Sequence, residues 1–388
     1  MLLNHTLRKY AHTVLIALAS IGLASCSWMD EDLEPCDNIV RVHFVYDYNI
    51  QRADMFSDHV GEVRLFVIDD ATNRVVRDTV VSNKRNQNAI VDHPWSQTFY
   101  IDFKDLPADR SYRFVAYALQ KPETETMQGS GDKFHITAPA LGEDISNLRV
   151  RLSRAAAPDA EGRYKVEAPY CGLDTLWMTR VKTTPLYVPV SNGKHQIIEE
   201  KVSMVRDTKY MTVSLIQLEE SKKADLYDKD FRLEIVATNG LLNWNNDVLM
   251  ADDDNARLCY VPFDQRTSEL IEGAGTPNEK VVERQAHYDV SFSRLVHYND
   301  NENFARNAVL RLIRNSDGEV IANINLPHGL ARARSYYELY NYGPQEYLDR
   351  EYDYDVLIYL RDGTFEGSFL RFVINTTPWV IRMQSEKL

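Results

Sequence analysis

The chain has 388 residues, 44% hydrophobic and 26% charged, with 16 Gly and 14 Pro. That composition excludes collagen-like, low-complexity and mostly disordered chains, and a mean hydropathy of −0.40 excludes a multi-span helical membrane protein. The net charge of −13 argues against general phosphate-backbone binding, so no nucleic-acid partner is expected.

The N-terminus reads as an address. Arg8 and Lys9 form a short basic region, and an apolar run from Thr13 to Ala24 ends in the small residues Ala24 and Ser25. The run is too short to span the roughly 30 Å hydrocarbon core of a bilayer as a helix. It is therefore expected to be a secretory signal peptide over 1–25. Leu23-Ala24-Ser25-Cys26 fits a bacterial lipobox, with cleavage between Ser25 and Cys26. The Cys26 thiol is the acyl acceptor, and two or three chains anchor far more firmly than one. Cleavage would remove Arg8 and Lys9 and no acid, taking the charge from −13 to −15. Residues 26–38 then form an acidic tether, in which Asp30, Glu31 and Asp32 resemble the surface-export signal of Bacteroidetes lipoproteins. The expected location is the outer membrane, facing the cell surface.

From Ile39 to Arg154 the chain is a succession of short segments with period two. Val40, Val42, Phe44 and Tyr46 face away from Arg41 and His43; Val63, Leu65 and Val67 face away from Glu62 and Arg64. Arg74–Val81 and Thr98–Phe103 follow. Tyr112, Phe114, Ala116 and Ala118 alternate next, then Leu148, Val150 and Leu152 opposite Arg149 and Arg151. Turn residues punctuate them at 69–73, 105–109 and 129–132. About seven strands without a helical period predict a β-sandwich over 39–156.

The non-periodic stretch Ala155–Gly162 is read as a boundary. Alternation resumes at Met211, Val213 and Leu215, at Phe231, Leu233 and Ile235, at Tyr288–Val296, and at Ala308, Leu310 and Leu312. Asn239–Asn255 and Pro262–Lys280 read as polar insertions. Ala333, Tyr336, Tyr337 and Tyr340 recur at helical spacing within Leu330–Tyr342, with Gly343-Pro344 as the stop. Strands at 355–360 and 369–374 complete a second sandwich over 157–388, and the chain closes with Thr377-Pro378-Trp379-Val380-Ile381.

Chemistry is sparse. The chain has no GxxxxGK[ST], GxSxG, HExxH or CxxC, and no catalytic residue, metal site or cofactor is assigned. Asp252–Asn255 and Asp300–Asn303 lack a calcium-loop pattern and read as solvated loops. Glu346, Asp349, Glu351, Asp353 and Asp355, interleaved with Tyr347, Tyr352 and Tyr354, read as surface before they read as a glycosidase pair. His43 and His297 are placed in strands, as structural side chains. Trp95, Trp177, Trp244 and Trp379 read as core and corners. Beyond Cys26, Cys36, Cys171 and Cys259 remain, the last two expected free and buried.

One set of motifs, taken in order, resembles a known family. The lipobox and acids precede Val45-Tyr46-Asp47-Tyr48-Asn49 and Val63–Asp69. Leu106–Tyr117 then resembles an LPxGxYxxxAW pattern with one extra residue before Tyr112, Asp109 standing in the place of Gly and Tyr117 in the place of Trp. Arg206-Asp207-Thr208 and Asn375–Trp379 follow. Together they are similar to the FimB/Mfa2 family of Bacteroidales fimbrial anchor lipoproteins. The resemblance implies an all-β chain of two tandem transthyretin-like sandwiches with a short helix in the second. It also implies a non-enzymatic role at the base of type V pili. Stalk subunits would bind by β-strand complementation, at Phe369–Ile374 or at the edge beside Val40–Tyr46. The alternative reading is a surface glycan-binding lipoprotein or tip adhesin.

Overall fold

The computed structural model describes residues 38–82, 99–123, 134–166, 172–191, 196–217, 226–250, 256–272, 274–275, 277, 279–300, 304–332, 334, 342–361, 364–374 and 377–383. The chain begins with Ile39–Val45 (β1), a helical turn Phe56–His59 (α1), Glu62–Asp69 (β2), Arg74–Ser82 (β3), Tyr100–Phe103 (β4) and Arg110–Leu119 (β5). Phe134–Thr137 (β6), Arg149–Leu152 (β7), Tyr164–Val166 (β8), Leu176–Thr179 (β9), Leu186–Val188 (β10) and Ile197–Arg206 (β11) follow. Next come Lys209–Gln217 (β12), Phe231–Ala237 (β13), Leu241–Asn243 (β14), Leu258–Tyr260 (β15), Asp264–Glu272 (β16) and Lys280–Phe292 (β17). The last elements are Val309–Arg314 (β18), Val320–Asn325 (β19), Leu326–Ala331 (α2), Pro344–Arg350 (α3), Asp353–Arg361 (β20), Thr364–Ile374 (β21) and Thr377–Met383 (β22).

Contacts divide the chain into two compact units. The smaller comprises, among described residues, 38–41, 102–110, 188–191 and 196–199. There the Asn38 amide donates to Pro189 O at 2.7 Å and Ile39 N to Gln196 O at 2.9 Å. Arg41 grips Asp102 through two hydrogen bonds, both 2.8 Å. Asp109, at φ 59°, sits in the left-handed region where glycine is favoured, and its N–H donates to Val188 O at 2.8 Å.

The larger unit holds the sheets. The first has the order β3-β2-β5-β9-β11-β1-β4, with β10 also paired to β5. β1 and β4 enter it through residues 42–45 and 100–101. Its β2–β3 hairpin turns at Asp69–Asn73, where the Asp69 side chain accepts from Thr72 N at 3.1 Å and Asn73 takes φ 59°. A three-stranded sheet, β14-β7-β6, shares an apolar core with it: Phe134, Val150 and Leu152 join Phe66, Ile68, Val115 and Tyr117. The opposite face of the first sheet is also buried, under α1. Phe44, Phe56 and Phe99 stack there at 5.7, 5.8 and 6.0 Å between centroids.

The second sandwich pairs a six-stranded sheet, β16-β17-β12-β20-β21-β22, with a five-stranded one, β19-β18-β13-β15-β8. Met211, Val213, Leu215, Tyr288, Val290, Val356 and Ile358 meet Leu233, Ile235, Leu310, Leu312 and Ile324 across its core. Each such aliphatic side chain is worth about 1.5–3 kcal/mol buried. β12 and β20 run parallel; β12 and β17 run antiparallel. The fold is all-β, built from packed sandwiches.

Several expectations change. A boundary at 156/157 does not separate the sheets. Ala155–Gly162 lies between β7 and β8, yet β9 and β11 join β2 and β5, and β14 returns to pair β7. Pro262–Lys280 is not a polar insertion: it contains β16 and the turn into β17. β16 is exposed on both faces, which removes the apolar alternation that marks a strand. β17 starts at Lys280 and ends at Phe292, so His297 lies beyond it. Gly343-Pro344 starts a helix, with Gly343 as N-cap and Pro344 in the first turn, where a missing N–H costs nothing. Of the expected helix Leu330–Tyr342, Leu330 and Ala331 end α2, and residues 333 and 335–341 lie outside the described residues.

Candidate functional site

Ser25, Cys26, Asp30, Glu31 and Asp32 lie outside the described residues, as do Cys36, Cys171, Trp95 and residues 129–132, 252–255, 301–303 and 375–376. Cys259 is free and buried, and burial pushes its thiol up to about 11, so it is inert at neutral pH. Among the described residues no group of His, Cys, Asp and Glu is placed to hold a metal ion.

Two of the family-like motifs converge on one place. Arg206-Asp207-Thr208 carries the chain from β11 of the first sandwich to β12 of the second. Asp207, Thr208 and Lys209 are wholly buried. Thr208 Oγ1 donates to Asp174 O at 2.8 Å and accepts from Leu176 N at 3.1 Å; Asp207 N donates to Leu176 O at 2.9 Å. Lys209 Nζ donates to Asp349 O at 2.9 Å and Glu351 O at 2.8 Å. Asp207 Oδ1 accepts from the Asn246 amide at 2.9 Å. Arg294 holds Asp349 with 2.7 and 2.8 Å hydrogen bonds and also donates to Asn246 O. The Arg206 guanidinium lies 4.1 Å from the Tyr352 ring centre and 5.2 Å from that of Tyr210.

Burial pushes the Asp207 carboxyl upward, against the opposing pull of Arg294, Asn246 and Lys209. The same burial pushes the Lys209 ammonium downward, opposed by Asp349 and Asp207. Glu351 is also raised by burial, although the N–H groups of Tyr352 and Asp353 donate to it. Opposed shifts of this kind mark charges taken out of water and kept there by partners.

The second motif, Tyr46–Asn49, extends the joint. Tyr48 is sandwiched between Arg180 at 4.5 Å and Arg350 at 3.9 Å; Arg350 also lies 5.1 Å from Tyr342, and Arg52 5.3 Å from Tyr342. The result is an alternating ladder, Arg180-Tyr48-Arg350-Tyr342-Arg52. Arg350 is held in plane by Glu346 at 2.9 Å. Tyr46 packs edge-on to Trp177 at 5.9 Å.

The acid–Tyr series therefore splits in a way spacing did not reveal. Asp349 and Glu351 point into the joint and are engaged by cations and N–H groups, which assigns them to structure and not to a carboxylate pair. Tyr117, in the Trp place, is buried with its hydroxyl donating to Glu123 at 2.8 Å. Trp177 is buried, and Trp244 lies under Arg113 at 5.4 Å.

The sheet edges are the other feature. Phe369–Ile374 lies in β21, an inner strand, paired by β22 along its whole length and by β20 as far as Arg371. Among the described residues β1 is flanked by β11 and β4, and the four-residue β4 is the edge beside it. Among the described residues the nine-residue β16 is, with β22, one of the two outer strands of the six-stranded sheet. Eight of its residues are exposed, including Leu270 at 58%. It pairs β17 throughout, but β12 reaches β17 only from Ala286 onward. Lys280–Gln285 and the facing half of β16 thus form a two-stranded ribbon beyond the sheet.

Packed sandwiches joined through a buried polar hub define a multi-sheet β-sandwich protein. The chain belongs to the family of fimbrillin-A associated anchor proteins Mfa1 and Mfa2, whose model matches residues 33–385. It is thus a fimbrial subunit, associated with the cell-surface fimbrium. Three solved structures share its fold. A "putative adhesin" of Bacteroides thetaiotaomicron matches with TM-score 0.63 and 23% identity, over 91% of this chain and 100% of that one. A "putative polysaccharide binding" protein of the same organism gives 0.61 and 23%, over 90% and 99%. The fimbrial anchor protein Mfa2 of Porphyromonas gingivalis gives 0.54 and 15%, over 90% and 100%. No curated protein matches the sequence.

Proposed function

We propose that this chain is a lipid-anchored outer-membrane protein that fixes the pilus stalk to the cell surface and limits fibre growth. Acylated Cys26 holds it in the membrane, Asp30, Glu31 and Asp32 direct it outward, and a stalk subunit adds a strand to an open sheet edge. The β16 edge carries this reading. The open side of an edge strand offers a row of N–H and C=O groups to an incoming strand, and alternate side chains fix the register. The Arg and Tyr joint suits the same role, since a subunit at the base of a fibre transmits load between its sandwiches. The protein performs no reaction in this reading.

The test uses fimbriated cells. Leu270→Lys with Ile271→Lys, both exposed, should leave the fold intact and weaken stalk retention roughly tenfold. Cys26→Ala should give a folded protein that no longer partitions with membrane. Loss of the whole chain should release or lengthen fibres. Normal attached fibres without the chain would refute the anchor role. A second reading, a glycan-binding surface lipoprotein, draws on Tyr100 and Tyr187, which are 43% and 53% exposed. Attached fibres together with lost polysaccharide binding on Tyr187→Ala would favour it.

A further inference from the structure

Two of the exposed large aliphatic side chains in the structure lie in the smaller unit, Val190 at 67% and Ile197 at 44%. Each neighbours a point where the entering chain is clamped. Asn38 bonds to Pro189 O, one residue before Val190, and Ile39 N bonds to Gln196 O, one residue before Ile197. Asn38 itself is buried, so the chain leaves this surface firmly held.

Twelve residues separate Asn38 from Cys26 inclusive of the latter. At no more than about 3.6 Å per residue they reach roughly 40 Å when fully extended, and less in any relaxed conformation. Whatever holds Cys26 is therefore within that distance of Asn38, whose clamp adjoins Val190 and Ile197 in sequence. A single exposed aliphatic residue is ordinary. Two that flank the root of a short lipid tether have a ready apolar occupant.

We propose that Val190 and Ile197 rest on the lipid surface, making the clamped N-terminal surface of the smaller unit a membrane contact. This rests on the lipid-anchor reading above. The covalent lipid supplies the attachment; the two side chains supply orientation, because burying them in the interfacial layer favours one way of standing on the membrane over others. Anchoring by the tether alone would leave the protein free to tumble about Cys26.

The experiment uses the full, lipidated chain in vesicles of phosphatidylethanolamine and phosphatidylglycerol. A benzophenone amino acid is placed at position 190, at 197 or, as control, at 141, since Leu141 is 65% exposed in the other unit. Mass spectrometry of Cys26 is run on every sample. Lipid photo-adducts at 190 and 197 should exceed those at 141 about tenfold. Equal yields at all three positions, with Cys26 acylated, would overturn the membrane contact and leave the anchor reading standing. Adducts at 190 and 197 to protein instead of lipid would overturn it equally. A Cys26 without lipid would overturn the anchor reading, and this contact with it.

Discussion

Arg294 closes on Asp349 through two hydrogen bonds of 2.7 and 2.8 Å, with the two side chains only 16% and 10% exposed. Asp349 O meanwhile accepts from Lys209 Nζ, so one residue of α3 ties β12 to the segment after β17. Removing one partner of such a buried pair strands the other charge. Arg294→Ala should cost about 3–5 kcal/mol, whereas Arg294→Met with Asp349→Leu should recover much of it. Denaturant midpoints for both single variants and the double variant measure this. A double variant as unstable as Arg294→Ala would show that the hub is held by something else.

Asp207 gives the joint a pH dependence whose direction follows from proton binding. Its carboxyl is pushed from an ordinary value of 3.8 up to about 7. Between those values the folded chain holds a proton that the unfolded chain has lost, so stability falls as pH rises. Lys209, lowered from 10.5 to about 8, acts oppositely: between about 8 and 10.5 the unfolded chain holds the extra proton and stability rises with pH. Asp207→Asn should flatten the fall in the acidic window and widen the alkaline rise, because it removes a charge that opposes the downward shift of Lys209. A tenfold difference in proton affinity between folded and unfolded chain is worth about 1.4 kcal/mol, so the change is readable by urea unfolding across the window. An unchanged acidic limb in Asp207→Asn would sink the assignment.

Much of the fold is legible where one face of a strand is wet. β1 and β7 announce themselves because Arg and His alternate with Val, Phe and Leu; β2 and β5 do so only over their first residues, before both faces become buried. β16 escapes because both its faces are exposed, and β9 because all four of its residues are buried. Pairing order is not legible at all: nothing in Leu176–Thr179 says that it joins β5 and not the strands that follow it. At the joint, Asp207 and Tyr48 are visible only as motif members. Lys209 carries a subtler signal. It has the same parity as Met211, Val213 and Leu215, which places an ammonium on the buried face of β12 and demands partners. Arg294 and Asn246 carry no comparable signal, since both lie in irregular segments whose neighbours come from distant sequence.

Asp109 explains its own departure from the family pattern. At φ 59° a glycine is free of the clash between Cβ and the backbone that costs other residues about 1–2 kcal/mol, and Asp tolerates the region better than most. Asp109→Gly should therefore be neutral or stabilising by up to about 1 kcal/mol, and Asp109→Val should be destabilising by about 2 kcal/mol. Thermal unfolding of the two variants should bracket the parent. If Asp109→Gly is the less stable of the pair, the backbone argument fails and the Asp side chain matters more than its φ.

Arg350 is the central rung of the cationic ladder, 3.9 Å from Tyr48 and 5.1 Å from Tyr342, and bonded to Glu346 at 2.9 Å. A guanidinium suits this place because it is flat, stacks on two rings at once and still donates at its rim. An ammonium keeps the charge and loses the stacking. Arg350→Lys should therefore cost nearly as much as Arg350→Gln, about 1–3 kcal/mol in either case. Tyr48→Leu should couple to Arg350→Gln in a double-mutant cycle by about 0.5–2 kcal/mol. Because Tyr48 follows β1 and Arg350 ends α3, this coupling measures how strongly the two sandwiches are fastened. Additive variants, or a Lys that restores full stability, would mean that charge alone matters and that the ladder contributes no stacking energy to the joint.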